Sequence, residues 1–98
     1  MHIYGLYFNN RKKPFYIGKT KDASQRYNEH ARHCFKHAGP VGRMKLYKYI
    51  RGKGITKDTF KNKIKMRILE KPRGNVHTSE KYWIDKYHSS LFNTAIRR

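Results

Sequence analysis

Two short aromatic segments near the start of the chain predict a β-hairpin. Residues 2–8 (HIYGLYF) and 14–19 (PFYIGK) are rich in strand-forming side chains, and a polar, basic run separates them. Because side chains alternate between the two faces of a strand, the hairpin is predicted to have two different faces. The first face is expected to belong to the core and consists of Tyr4, Leu6, Phe8, Phe15 and Ile17. The second face, where glycine leaves room for a group to approach the backbone, consists of Gly5, Tyr7, Tyr16 and Gly18.

The hairpin is followed by helical periodicity. Asp22, with Gln25 three residues later, has the pattern of a helix N-terminus, and apolar residues then recur at helical spacing as far as Phe35. Arg26 and His30 lie one turn apart on a neighbouring face of this helix. After a break at residues 39–40, a second helix is predicted over residues 41–51.

A strand and a further helix complete the predicted elements. Residues 63–69 alternate basic and apolar positions, which predicts a half-buried strand, and residues 77–88 have helical periodicity. On the apolar stripe of this last helix, Glu80 lies three residues before Trp83. A carboxylate withdrawn from water must be ion-paired, protonated or bound to a cation. The sequence leaves a salt bridge and a metal site open as explanations for Glu80.

The charge balance indicates the partner. The chain has 98 residues, with 24 Lys and Arg against 6 Asp and Glu, and a formal net charge of +18. Such a surface attracts polyanions, of which nucleic acid is the commonest. Eight Tyr, five Phe and one Trp supply large core side chains, which favours a folded domain over a disordered chain. We expect residues 1–98 to form a single domain.

Neither a membrane nor a disulfide is expected. The sequence has no apolar run long enough to cross a bilayer, and its first residues do not resemble a signal peptide. The single cysteine, Cys34, excludes an intrachain disulfide. His30, His33, Cys34 and His37 invite a zinc interpretation, but a structural zinc site needs four ligands and no second cluster exists. These features favour a cytoplasmic location.

Six sequence elements, in order along nearly the whole chain, resemble the GIY-YIG family of endonucleases. Gly5-Leu6-Tyr7 and Tyr16-Ile17-Gly18 resemble the two halves of the family signature, and Lys19-Thr20 continue it. The other elements are Arg26 with His30, Glu80 with Trp83-Ile84, and Asn93. Two departures are visible: Leu6 replaces the usual Ile or Val, and Asn93 follows Leu91-Phe92 instead of following the leucine directly.

This resemblance implies an α+β fold, in which helices flank a small, central, three-stranded antiparallel sheet. It also implies an endonuclease that hydrolyses DNA phosphodiester bonds with one divalent cation, Mg²⁺ or alternatively Mn²⁺. The expected substrate is double-stranded or branched DNA. The alternative is a basic nucleic-acid-binding module that has the same fold but does not cut.

The resemblance also assigns roles to residues. Glu80 would bind the metal, and Arg26 would contact the scissile phosphate. Tyr7 would act as general base or position the water, with its pKa lowered from about 10, and His30 would accept its proton. Tyr16 is able to exchange roles with Tyr7, and the sequence does not decide between them. Asn93 is expected to orient a neighbouring group. The residues expected to contact the nucleic-acid backbone are Lys19, Arg26, Lys45, Lys63 and Lys65.

Overall fold

In the computed structural model, residues 1–35 and 41–91 are described, and for residues 41–45 only the backbone is described. The strands are β1 (His2–Phe8), β2 (Tyr16–Thr20) and β3 (Ile64–Glu70). The helices are α1 (Ala23–His33), α2 (Val41–Gly52), α3 (Phe60–Lys63) and α4 (Val76–Lys86), and a 3₁₀ turn follows at His88–Ser90. The sequence predicted these elements to within about two residues, except for the short helix α3 and the 3₁₀ turn, which it missed.

The three strands form one antiparallel sheet in the order β2-β1-β3. Strand β1 lies in the middle and β2 is an edge strand. With helices packed on both faces, the protein is an α+β fold built on a small antiparallel sheet, so the predicted fold class is confirmed.

Each face of the sheet has its own hydrophobic cluster. Helices α1, α2 and α3 contribute to the first cluster, whose buried members include Tyr4, Leu6, Cys34, Leu46, Ile50 and Phe60. Helix α4 contributes to the second cluster, whose buried members are Ile3, Ile17, Ile84 and Leu91.

The register of the hairpin corrects the predicted faces. Leu6 pairs with Tyr16, and Gly5 pairs with Ile17. Directly opposed residues share a face, so Tyr16 and Gly18 lie with Tyr4 and Leu6, while Ile17 lies with Gly5 and Tyr7. The prediction that Tyr7 and Tyr16 share a face is therefore wrong. Phe15 lies before β2 begins, and its ring stacks on Phe8 with centroids 4.3 Å apart. The alternation of side chains between the two faces of β2 therefore does not extend back to Phe15.

An irregularity in β3 fixes helix α4 to the sheet. The β1–β3 register shifts between Ile3 and Tyr4, so that Ile3 pairs with Glu70 while Tyr4 pairs with Ile68. As a result, Leu69 packs in the second cluster and Glu70 also reaches α4. The Glu70 carboxylate accepts hydrogen bonds from Trp83 Nε1 (2.9 Å) and Ser79 Oγ (3.1 Å). Asn75 caps the same helix by accepting from the backbone N–H of His77 and of Thr78.

Candidate functional site

A histidine held between two phenols lies at the centre of the first face. His30 is fully buried, with its Nε2 2.8 Å from the Tyr4 hydroxyl and its Nδ1 3.2 Å from the Tyr47 hydroxyl. A neutral imidazole has one donor nitrogen and one acceptor nitrogen, so in the neutral form of His30 one phenol would donate to the ring and the other would accept from it. The Asp22 side chain accepts from the Gln25 backbone N–H (3.0 Å) at the start of α1, and this cap fixes where His30 falls on the helix.

Tyr16 is the more accessible aromatic residue beside this histidine. Its side chain is half-buried, and its ring centroid lies 6.0 Å from that of His30 and 6.3 Å from that of Tyr4. Because β2 is an edge strand, Tyr16 borders both the buried network and the surface. It is therefore the phenol of this group that a large substrate is able to reach.

Gly18 is required by the position of Tyr4. The two residues pair across the hairpin, and a Cβ added at Gly18 would lie 2.5 Å from the Tyr4 hydroxyl oxygen and 2.6 Å from Cζ. The space left by this glycine is therefore filled by the Tyr4 ring and not by an external ligand. Without it, Tyr4 would not extend across β2 to His30.

Arg26 lies one turn before His30 on α1. Its side chain keeps 22% of its surface exposed, and its Nη1 lies 3.9 Å from the Glu29 carboxylate. Among the described residues, its buried Nε has no hydrogen-bond partner. An unsatisfied guanidinium N–H is costly to bury and is a ready donor to an oxyanion such as phosphate.

Glu80 lies on the other side of β2, on helix α4. It is 9% exposed, which confirms that it points inward, and its carboxylate lies 3.8 Å from Lys19 Nζ. The same Nζ lies 3.0 Å from His77 Nδ1 in the first turn of α4. The salt bridge that the sequence left open as an explanation for Glu80 is present. Lys19 links the edge strand to α4 and retains 32% side-chain exposure.

Tyr7 lies apart from the His30 cluster. It is on the second face, 6% exposed, with the Arg67 guanidinium 5.4 Å from its ring centroid. Burial raises the pKa of Tyr7 above 10, and nearby Tyr87 raises this pKa further, while Arg67 partly opposes the effect. Tyr7 thus lies on the opposite face of the sheet from His30, which was expected to accept its proton, and its pKa is shifted in the direction opposite to that expected of a general base.

The remaining predicted residues are distributed over the surface or lie outside the described parts. Lys63, the last residue of α3, and Lys65, near the start of β3, are both exposed, and Lys65 Nζ donates to the Lys61 carbonyl at 2.9 Å. Lys45 lies in the described backbone of α2, but its side chain does not belong to the described atoms. Asn93 lies outside the described residues.

Sequence reasoning missed Tyr4, Tyr47 and His77 as members of these clusters. Alternation with Leu6 predicts Tyr4 to be a core residue, and only the hairpin register shows that it also lies with Gly18 and Tyr16. Tyr47 and His77 reach their partners across tertiary contacts of 17 and 58 residues in sequence separation. The spacing of residues along the sequence does not predict such contacts.

In the described ranges, no group of three or more His, Cys, Asp or Glu side chains is arranged to hold a metal ion. A cation at Glu80 would have this carboxylate as a ligand, and water and substrate oxygens would be able to complete its shell. Mg²⁺ accepts such an arrangement, since it commonly binds through one or two carboxylates. Lys19 would then have to release Glu80 or share it.

Two further findings concern the chain as a whole. No helix within residues 1–35 and 41–91 has the length and apolar character to span a membrane. When the chain is compared with models of protein families, with curated proteins and with solved structures, nothing matches it.

Proposed function

We propose that this protein is a divalent-metal-dependent endonuclease that hydrolyses DNA phosphodiester bonds along the edge strand β2. The observation that carries the proposal is the packing of half-buried Tyr16 beside His30, whose ring nitrogens lie within hydrogen-bonding distance of Tyr4 and Tyr47. This phenol and imidazole group belongs to the first face of the sheet. Lys19 and Glu80 lie across the same edge strand, on the second face.

Because β2 is an edge strand, a single ligand is able to reach the side chains on both of its faces. A phosphodiester backbone running along an edge strand is able to contact side chains that emerge from both faces. Arg26 and Tyr16 would approach the phosphate from the first face, and Lys19 and Glu80 from the second. The net charge of +18 attracts DNA to the protein. The sequence resemblance to GIY-YIG nucleases supports the same residues, except that Tyr4, and not Tyr7, is the β1 tyrosine that lies beside Tyr16 and His30.

Each side chain has a task in hydrolysis. Tyr16 orients the attacking water or removes its proton. The buried Tyr4 and His30 pack against Tyr16 and hold its ring in position. Arg26 donates to the non-bridging phosphate oxygens, where its planar fork matches the geometry. Glu80 would hold Mg²⁺ or Mn²⁺, which when bound neutralises charge on the phosphate oxygens. Lys19 orients the Glu80 carboxylate through their ion pair in the absence of the cation.

Supercoiled plasmid provides the direct test. Purified protein is expected to nick it with Mg²⁺ or Mn²⁺ at low salt, and a chelator is expected to stop the reaction. Glu80→Gln and Arg26→Ala are expected to abolish nicking while most DNA retention remains, and Asp85→Asn, an exposed acid on the same helix, serves as the matched control. The same assay on branched DNA, single-stranded DNA and RNA identifies the preferred substrate.

The competing function is a basic binding module that does not cut. It is favoured by the Lys19–Glu80 ion pair, which satisfies the inward carboxylate without any metal. Intact plasmid under every metal condition, together with tight and salt-dependent DNA binding, would replace the nuclease proposal with this one.

A further inference from the structure

A cleft at the turn end of the hairpin lies apart from the candidate site. Its volume is about 790 Å³, within the range of about 300–1,000 Å³ that is usual for ligand sites. The loop between β1 and β2, the end of α2 and the 3₁₀ turn contribute its walls. Tyr16, Arg26, His30 and Glu80 are not among the residues that line it. The cleft therefore needs its own explanation.

The rim of the cleft is cationic. The basic residues that line it come from three separate segments and are Arg11, Lys12, Lys13, Lys53 and Lys63, while none of the described residues that line it is acidic. Convergence of cations without a compensating carboxylate is electrostatically unfavourable for the free protein. A bound polyanion relieves this repulsion.

One wall of the cleft is aromatic. Phe8 stacks on Phe15, and the Tyr49 ring packs at 6.1 Å from Phe8 and 6.0 Å from Phe15. Phe8 and Tyr49 are half-buried, and Lys53 Nζ lies 5.2 Å from the centre of the Tyr49 ring. An aromatic surface beside cations matches the two parts of a nucleotide, because the base stacks on a ring and the phosphate binds a cation.

We propose that this cleft binds an unpaired nucleotide of a nucleic-acid strand, in addition to the contacts made along β2. The base lies against Tyr49 and Phe8 in the place that Lys53 now covers, and Lys53, Lys12 and Lys63 contact the flanking phosphates. Bases within a duplex are stacked on one another and do not present a free face to a protein ring. The cleft thus selects single-stranded or splayed segments over continuous duplex. This inference rests on the proposed function only for the identity of the ligand as nucleic acid.

Binding is measured by fluorescence anisotropy with a labelled single-stranded oligonucleotide and a blunt hairpin duplex, in chelator so that no cutting occurs. Tyr49→Leu is expected to weaken single-strand binding about tenfold, the scale of one lost base stack, and to change duplex binding less than about twofold. Tyr49→Phe keeps the ring and is expected to bind like the parent protein. Circular dichroism and thermal unfolding establish that each variant is folded.

Two double variants that remove the same charge distinguish binding in this cleft from binding to the basic surface elsewhere. Lys12→Gln with Lys53→Gln is expected to weaken single-strand binding more than Lys71→Gln with Arg73→Gln, which removes the same charge from exposed residues outside the cleft. Equal loss in the two pairs, or an effect of the lysines without any effect of Tyr49→Leu, would overturn the proposed nucleotide site. Because no metal is present, these results are independent of whether the protein cuts DNA.

Discussion

The ring of Tyr4 lies across Gly18 so closely that a Cβ at residue 18 would stand 2.5 Å from the Tyr4 hydroxyl oxygen. The two residues are paired across the hairpin, and the hydroxyl of Tyr4 continues to His30 Nε2, 2.8 Å away. A missing side chain on the edge strand thus makes room for a tyrosine of the central strand. The hydrogen-bonded network on the first face depends on this contact.

Gly18→Ala is expected to destabilise the protein. Real Cβ atoms do not come within 2.6 Å of a ring carbon, so Tyr4 would have to move and its bond to His30 would be strained or lost. Overpacking of this kind costs about 1–3 kcal/mol. In a domain of this size each kcal/mol lowers Tm by about 4–8 °C, which differential scanning calorimetry resolves. Gly74→Ala, where an added Cβ meets nothing within 4 Å, is the control, and equal Tm values for the two variants would contradict the packing argument.

The three tyrosines of the hairpin are expected to differ in their effect on cleavage. Tyr16→Phe should lower the nicking rate about a hundredfold, the usual scale for a lost acid–base group. Tyr7→Phe should leave the rate near that of the parent, because Tyr7 packs beside Arg67 on the opposite face of the sheet from Tyr16 and His30. Single-turnover nicking assays measure both. A large loss in Tyr7→Phe with an unchanged rate in Tyr16→Phe would reverse the assignment.

Tyr4→Phe tests whether Tyr4 positions Tyr16 through His30. We expect a smaller loss of rate than in Tyr16→Phe, and a change in the pH dependence of the nicking rate, since the network that holds Tyr16 loses one phenolic proton. The pH–rate profile of each variant is the measurement. A profile that keeps its shape, with lower stability as the sole change, would reduce Tyr4 to a packing residue.

Glu70→Ala is expected to loosen helix α4 from the sheet. The carboxylate accepts from Trp83 Nε1 and Ser79 Oγ, and hydrogen bonds to a charged group contribute about 1.5–3 kcal/mol each. Because both hydrogen bonds are only part-buried and solvent screens them, the two together contribute less than the sum of these values, and we expect the free energy of unfolding in urea to fall by about 2 kcal/mol. Asp85→Ala removes an exposed carboxylate from the same helix and should change stability by less than about 0.5 kcal/mol.

The stability of the protein is expected to fall at alkaline pH. Burial raises the pKa of Tyr7 and of Tyr27 above 10 in the folded state, and Tyr27 also donates a 2.7 Å hydrogen bond to the Ile64 carbonyl. The folded protein therefore holds these protons more tightly than the unfolded chain. Their contribution is complete below about pH 10 and is lost as pH rises through the higher folded pKa.

Unfolding free energies measured on both sides of about pH 10 test this effect. Tyr7→Phe should show a shallower decline with pH than the parent protein, because its buried side chain has no proton to lose. Tyr82→Phe changes a 57% exposed tyrosine and is the control for alkaline effects of other groups. If the Tyr7→Phe decline is as steep as that of the control, the burial of the Tyr7 phenol does not contribute to the pH dependence.

The sequence by itself determined most of the helices and strands and the kinds of side chain that they carry. Strand alternation, the Asp22 cap and helical spacing are local properties, so the hairpin, α1 and the inward position of Glu80 were predictable from the chain. Charge composition likewise belongs to the sequence alone. The short helix α3 escaped prediction because four residues contain too little periodicity to detect.

The tertiary structure alone decided which of these residues meet. A one-residue difference in hairpin register exchanges the two faces of a strand, and so it exchanged Tyr7 for Tyr4 as the neighbour of Tyr16. The contacts from His30 to Tyr47 and from Lys19 to His77 arise from helices packed on opposite faces of the sheet. Local spacing does not encode such contacts, because they are fixed by how the two hydrophobic clusters close over the strands.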